Sequence, residues 1–103
     1  MSNKGPEKDH LYERDDLLRS LRSTVMKVHF KKDNGQTRVM RCTLIKTIIE
    51  QNGGAQNLEA DKRFHNENPE VLAVWDMDVN GWRAFRVSSV FYAEGLDPSL
   101  YIR

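Results

Sequence analysis

Apolar and polar residues alternate along much of this 103-residue chain, and the points where the period changes mark its elements. From Thr24 the period is two, with Met26, Val28 and Phe30 on one side and Lys27, His29 and Lys31 on the other. That pattern predicts a strand buried on one face. Thr37 to Leu44 repeats it, setting Met40, Cys42 and Leu44 against Val39, Arg41 and Thr43. Between the two runs, Asp33-Asn34-Gly35-Gln36 carries an Asn-Gly pair able to take the positive φ angles of a hairpin turn. The stretch Val71 to Val87 forms a second hairpin around Asp78-Val79-Asn80-Gly81 and holds both tryptophans, so it is read as the centre of a small barrel with Trp75 and Phe85 in the core. Val90, Phe91 and Tyr92 supply a short last strand, and Gly95 with Pro98 ends regular structure.

Before the first strand the period lengthens. Leu11, Leu17, Leu18 and Leu21 recur at helical spacings from His10 to Arg22, with charged residues on the remaining positions and Asp9 as the N-cap. An amphipathic helix packed on the barrel is expected, with partner recognition as the alternative. Ile45, Ile48 and Ile49 fit either a short helix to Gln51 or a continuation of the preceding strand. Residues 52–70 are polar and turn-rich, an insertion between strands two and three with a helical turn around Leu58 to Phe64. The organisation is then a disordered tail over residues 1–9, one domain over 10–94 and a C-terminal tail over 95–103. Tyr101 and Ile102 either dock that tail or face a partner.

Charge changes this picture more than composition does. The formal net charge is only +1, yet Lys27, Lys31, Lys32, Arg38, Arg41 and Lys46 stand against Asp33 alone between residues 23 and 46. Residues 47–80 reverse the balance, with seven acids, Glu50, Glu59, Asp61, Glu67, Glu70, Asp76 and Asp78, against Lys62 and Arg63. A basic first hairpin and an acidic middle follow, and basic side chains interleaved with aromatics on short antiparallel strands can meet phosphate and stack on bases. The candidate nucleic-acid-binding residues are Lys27, His29, Lys31, Lys32, Arg38, Arg41, Arg83 and Arg86, with Trp82 as a stacking platform. A solvated outer sheet face explains the same hairpin charges without a ligand.

Other chemistry is poorly served. His10, His29 and His65 are too far apart for a local metal pair, and Cys42 has no neighbouring ligand. Asp76 and Asp78 lack the Gly and Glu of a calcium loop and suit a turn instead. No phosphate loop, nucleophile elbow or coupled nucleophile and base is present, so neither catalysis nor a cofactor is expected. The single cysteine reads as a small buried hydrophobe in a reducing compartment. The polar first ten residues lack a signal peptide, and no run approaches the roughly 18–20 apolar residues of a membrane span, so a cytoplasmic protein without membrane association is expected.

The segments Val25-Met26-Lys27-Val28-His29-Phe30, Arg38-Val39-Met40-Arg41-Cys42-Thr43-Leu44, Val74-Trp75-Asp76 and Gly81-Trp82-Arg83-Ala84-Phe85-Arg86-Val87 together resemble small phage-encoded proteins with an Sm-like, SH3-type β-barrel related to WYL domains. The resemblance spans roughly residues 20–93. It implies a mainly β (α+β) fold, an SH3-like or Sm-like antiparallel barrel of about five strands with an N-terminal helix. It also implies a regulatory, ligand-sensing or nucleic-acid-sensing role, with Arg83 and Arg86 as the anion-binding side chains; a Trp-Tyr-Leu triplet is lacking. The expected function is that of a non-enzymatic phage accessory or regulatory protein binding DNA or RNA. The alternative is a module that binds and modulates a host enzyme or regulator, and homo-oligomerisation through strand edges is a further expectation.

Overall fold

The computed structural model describes residues 12–54 and 57–102. Helix α1 (Arg14–Ser23) leads into strands β1 (Val25–Lys31) and β2 (Thr37–Thr43). Helix α2 (Lys46–Gln51), a 3₁₀ turn at Leu58–Ala60 and helix α3 (Lys62–His65) make up the connection to β3 (Val71–Asp76). Strands β4 (Gly81–Arg86) and β5 (Val90–Leu96) follow, and the described chain ends after a 3₁₀ turn at Pro98–Leu100. The five strands form one antiparallel sheet in the order β4-β3-β2-β1-β5. Its shortest ladder joins β2 to β3, which share only the pairs Cys42↔Asp76 and Thr43↔Trp75. Among the described residues no ladder joins β4 to β5, so the sheet curls without closing.

The period-two reading of the strands holds. On the concave face Met26, Val28, Phe30, Met40 and Cys42 meet Leu72, Val74, Phe85 and Val90, all buried. Helix α1 covers the end of this core with Leu17, Leu18 and Leu21, and burying each contributes about 1.5–3 kcal/mol before ordering costs. Thr43, fully buried, fastens that helix to the sheet. Its one hydroxyl hydrogen is shared between Leu21 O (3.2 Å) and Thr24 O (3.0 Å) and its oxygen accepts from Ile45 N (3.1 Å), while Leu44 N donates to Leu21 O (2.8 Å). These contacts satisfy carbonyls that a helix end would otherwise leave unpaired.

A second cluster lies on the other side of β3, where Trp75 packs with Ile49 and Leu58. Gly54 closes over it, donating its N–H to Ile49 O (2.9 Å) at a place where a Cβ would stand 2.7 Å from the Trp75 ring. Trp75 and Phe85 are both core residues, as expected, but of different clusters on opposite faces of the sheet.

Several sequence expectations need correcting. The helix runs from Arg14 to Ser23, with Tyr12 and Glu13 outside it and no side-chain cap at Glu13. Asp9, His10, Leu11 and the N-terminal tail lie outside the described residues. Ile45–Gln51 resolves to a helix beginning at Lys46, because Ile48 and Ile49 at adjacent positions both find burial only on a helical face. Gly95 does not end β5: it pairs with Met26 inside a strand that continues to Leu96. Gly81 is likewise the first residue of β4, paired with Asp76, so the second hairpin has a four-residue loop in which Asn80 alone takes positive φ (53°). In the first hairpin Gly35 supplies it (88°), with Gly35 N donating to Lys32 O and Lys32 N to Gln36 O. That is a turn followed by a left-handed residue, the usual three-residue hairpin arrangement.

Candidate nucleic-acid interface

The basic residues that the sequence places on one hairpin face are divided by the fold between two surfaces. At the open mouth of the sheet, a cavity of about 500 Å³ is lined by Lys31, Lys32, Arg38, Arg83 and Arg86, together with Phe30 and Phe85. Register explains part of this convergence. Arg38 lies opposite Phe30, and Arg83 opposite Val74, so both stand on the core-facing side of the sheet where it opens to solvent. Lys31 and Lys32 arrive from the tip of the first hairpin, and Arg86 from the end of β4.

Two acids answer these five cations. Arg86 Nε lies 4.0 Å from Asp33 Oδ1, an exposed pair of little energetic weight. Asp76 is 1% exposed, and its Oδ2 accepts from Arg38 Nη2 at 3.3 Å. Its other oxygen accepts from Asp78 N (2.8 Å), and its carbonyl accepts from Asn80 N (2.9 Å). Asp76 therefore serves the β3–β4 loop, as its spacing implied, and also anchors Arg38. Lys31, Lys32 and Arg83 make no ion pair among the described residues, leaving a net positive cavity with an aromatic floor.

Lys27, His29 and Arg41 are not part of it, contrary to the single basic face expected. All three lie on the convex side of the sheet. Arg41 forms an ion pair with Asp78, and hydrogen bonds to Asp78 and Tyr101 raise its pKa further. Lys27 stands in register between Arg41 and Glu94. The His29 ring meets the edges of Phe91 and Tyr92, with centroids 6.0 and 5.1 Å away. Sequence alternation correctly put these side chains outside, but it could not see that Asp78 would meet Arg41 or that Phe91 and Tyr92 would meet His29. Tyr101 docks on Arg41, while Ile102 is exposed.

Trp82 carries another side chain on its ring. It is half-buried, meets Trp75 edge to face at 5.7 Å, and carries the Arg63 guanidinium 5.0 Å from its ring centroid. Arg63 is gripped by Asp61, which accepts from Nε (3.0 Å), Nη2 (2.8 Å) and the backbone N–H (2.8 Å). This clip holds the Asp61 carboxyl below the usual range. A second cavity, of about 910 Å³, lies beside Trp82 under Arg63, Asn66 and Pro69.

The insertion itself is held by residues that sequence reading passed over. Asn66, buried and at positive φ (57°), donates to Arg63 O and Ala73 O and accepts from Ala73 N, mimicking a strand partner for β3. Arg14 reaches from α1 to Asn66 O (2.6 Å) and Asn68 O (2.7 Å). An asparagine preceding a strand by a few residues is the only sequence sign of such a brace.

Cys42 is fully buried, and desolvation pushes its thiol pKa well up, so it has no nucleophilic character at neutral pH. Among the described residues there is no group of three or more His, Cys, Asp or Glu side chains placed to hold a metal, and no helix is long and apolar enough to cross a membrane.

A five-stranded, strongly bent antiparallel sheet with a helix over one end and a cationic mouth defines a small barrel of the Sm-like, SH3-like class. Residues 14–90 match the profile of the WYL_2 family, described as an Sm-like SH3 β-barrel fold, and the chain belongs to that family. No curated protein and no solved structure matches it.

Proposed function

We propose that this chain is a non-enzymatic accessory or regulatory protein, of the phage-encoded kind, that binds nucleic acid at the mouth of its barrel. The observation that carries this reading is the convergence of Lys31, Lys32, Arg38, Arg83 and Arg86 on one cavity in a chain of net charge +1. Such a concentration of cations is electrostatically costly unless a polyanion offsets it. Phe30 and Phe85 stack on each other and line the same cavity. The test replaces exposed residues that the fold does not need: Lys31→Ala, Arg83→Ala and Arg86→Ala together. The combined variant should bind single-stranded DNA or RNA about a hundredfold more weakly at low salt. Its plot of log affinity against log salt should be flatter by about 2, since each lost phosphate contact on a single strand contributes about 0.7. Binding unchanged in strength and salt dependence overturns the proposal.

A second reading, a module that binds a host protein, is favoured by one observation. Strand β4 is an outer strand with a cavity on each side of it, an arrangement to which an extended peptide can add as a further strand. A stoichiometric protein partner retained from nuclease-treated lysate, and lost when Ala84 on β4 is replaced by Pro, distinguishes it.

A further inference from the structure

The two cavities flanking β4 share Val71, Arg83 and Ala84, so the strand is a low ridge between them. Their chemistry differs. The mouth gathers cations, whereas the larger cavity presents Trp82 with Pro69, Val71 and Ala73, and its Arg63 is already neutralised by Asp61. Arg63 therefore brings little net charge to that side; what it brings is a planar group over an indole. The guanidinium side chain is more than half exposed, while the carboxylate holding it is largely covered, so the contact can be exchanged at its solvent side without disturbing the core.

A nucleobase is the planar π system that competes for such a face. Stacking of a base on an aromatic ring outweighs an exposed cation–π contact, and only an unpaired strand has base faces to offer. Resting on the nucleic-acid reading of the mouth, we infer that Trp82 is a base-stacking subsite for single-stranded nucleic acid, and that Arg63, held over it by Asp61, is the group the base displaces. Phosphates would lie in the mouth on Arg83 and its neighbours, and one base would cross the β4 ridge to the indole.

Intrinsic fluorescence tests this in the full chain, because Trp75 is buried at 4% exposure and does not line either cavity. Oligothymidylate and a duplex of equal length are titrated at low salt. Quenching by the single strand and none by the duplex at equal occupancy is the expected result. Trp82→Leu should cost about tenfold in single-strand affinity with an unchanged salt slope, since no phosphate contact is lost. Arg63→Ala, which leaves Trp82 and its packing on Trp75 in place, should raise single-strand affinity about threefold by removing the competitor. Oligothymidylate that binds with unchanged emission, or Arg63→Ala that binds more weakly, overturns the inference while leaving the mouth as a binding site. Failure of the wild-type chain to bind either oligonucleotide overturns both.

Discussion

The concave mouth and the convex face of this sheet are built from the same strands, carry the same residue types, and differ in what meets those residues. On the convex side Arg41 is paired with Asp78 and the His29 ring meets Phe91 and Tyr92, while Lys27 lies opposite Glu94 in the β1–β5 ladder without an ion pair. At the mouth Lys31, Lys32 and Arg83 make no ion pair among the described residues, and only Asp33 and Asp76 oppose the five cations gathered there. The count of basic residues on a strand thus does not give the net charge of the surface they reach. The useful quantity is the charge left over once strands from elsewhere have been laid alongside.

The comparison can be broken most forcefully at its aromatic residues. Phe85 is 4% exposed and stacks on Phe30 at 5.3 Å, whereas Tyr92 is 47% exposed on the convex face. Phe85→Ala should destabilise the fold by about 3–5 kcal/mol, as for a large-to-small change in a core, and Tyr92→Ala by no more than about 1 kcal/mol. Urea denaturation followed by Trp emission measures both. Equal losses would show that the convex aromatics are structural and that the two faces are not distinct in kind.

The acids come next. Asp76→Ala leaves Arg38 without its partner and removes the acceptor of Asp78 N, so a loss of about 1.5–3 kcal/mol is expected, the range for a hydrogen bond to a charged group. Asp78→Ala breaks an ion pair whose two side chains are each 47% exposed, and should cost less than about 1 kcal/mol. The ranking of the two midpoints is the readout, and a larger effect at Asp78 would reverse the assignment of Asp76 as the anchor of the mouth.

Strands, both hairpins and the helix over the core were legible because period-two and helical spacing report burial directly, as Met26, Val28 and Phe30 illustrate. Boundaries were less so. Gly95 looks like a terminator, yet its backbone only has to pair with Met26, and nothing there asks for a side chain. For the candidate site, alternation placed Lys27, His29 and Arg41 on the surface correctly. It missed that Arg38 and Arg83, lying in register with Phe30 and Val74, stand on the inner side where the barrel opens. Long-range partners were invisible for a simple reason: Asp76 reaches Arg38 across 38 residues of sequence, and Arg14 reaches Asn68 across 54.

The smallest expected effect is also the sharpest discriminator. Lys27, His29 and Arg41 belong to the most basic hairpin in the sequence, and replacing all three by Ala removes as many side chains as the mouth variant does. If local charge along the chain governed binding, the two triple variants would lose affinity alike. Here Arg41 is already paired with Asp78 and Tyr101, and Lys27 stands beside Glu94, so the convex variant gives up little uncompensated charge. Its affinity for single-stranded DNA should fall by less than about threefold, and its salt slope should shift by less than about 0.7, the contribution of one phosphate contact. Fluorescence anisotropy at several salt concentrations resolves that difference from the mouth variant. A slope change of about 2 in the convex triple would move the interface to the outer face and leave the cavity between the first hairpin and β4 without a role in binding.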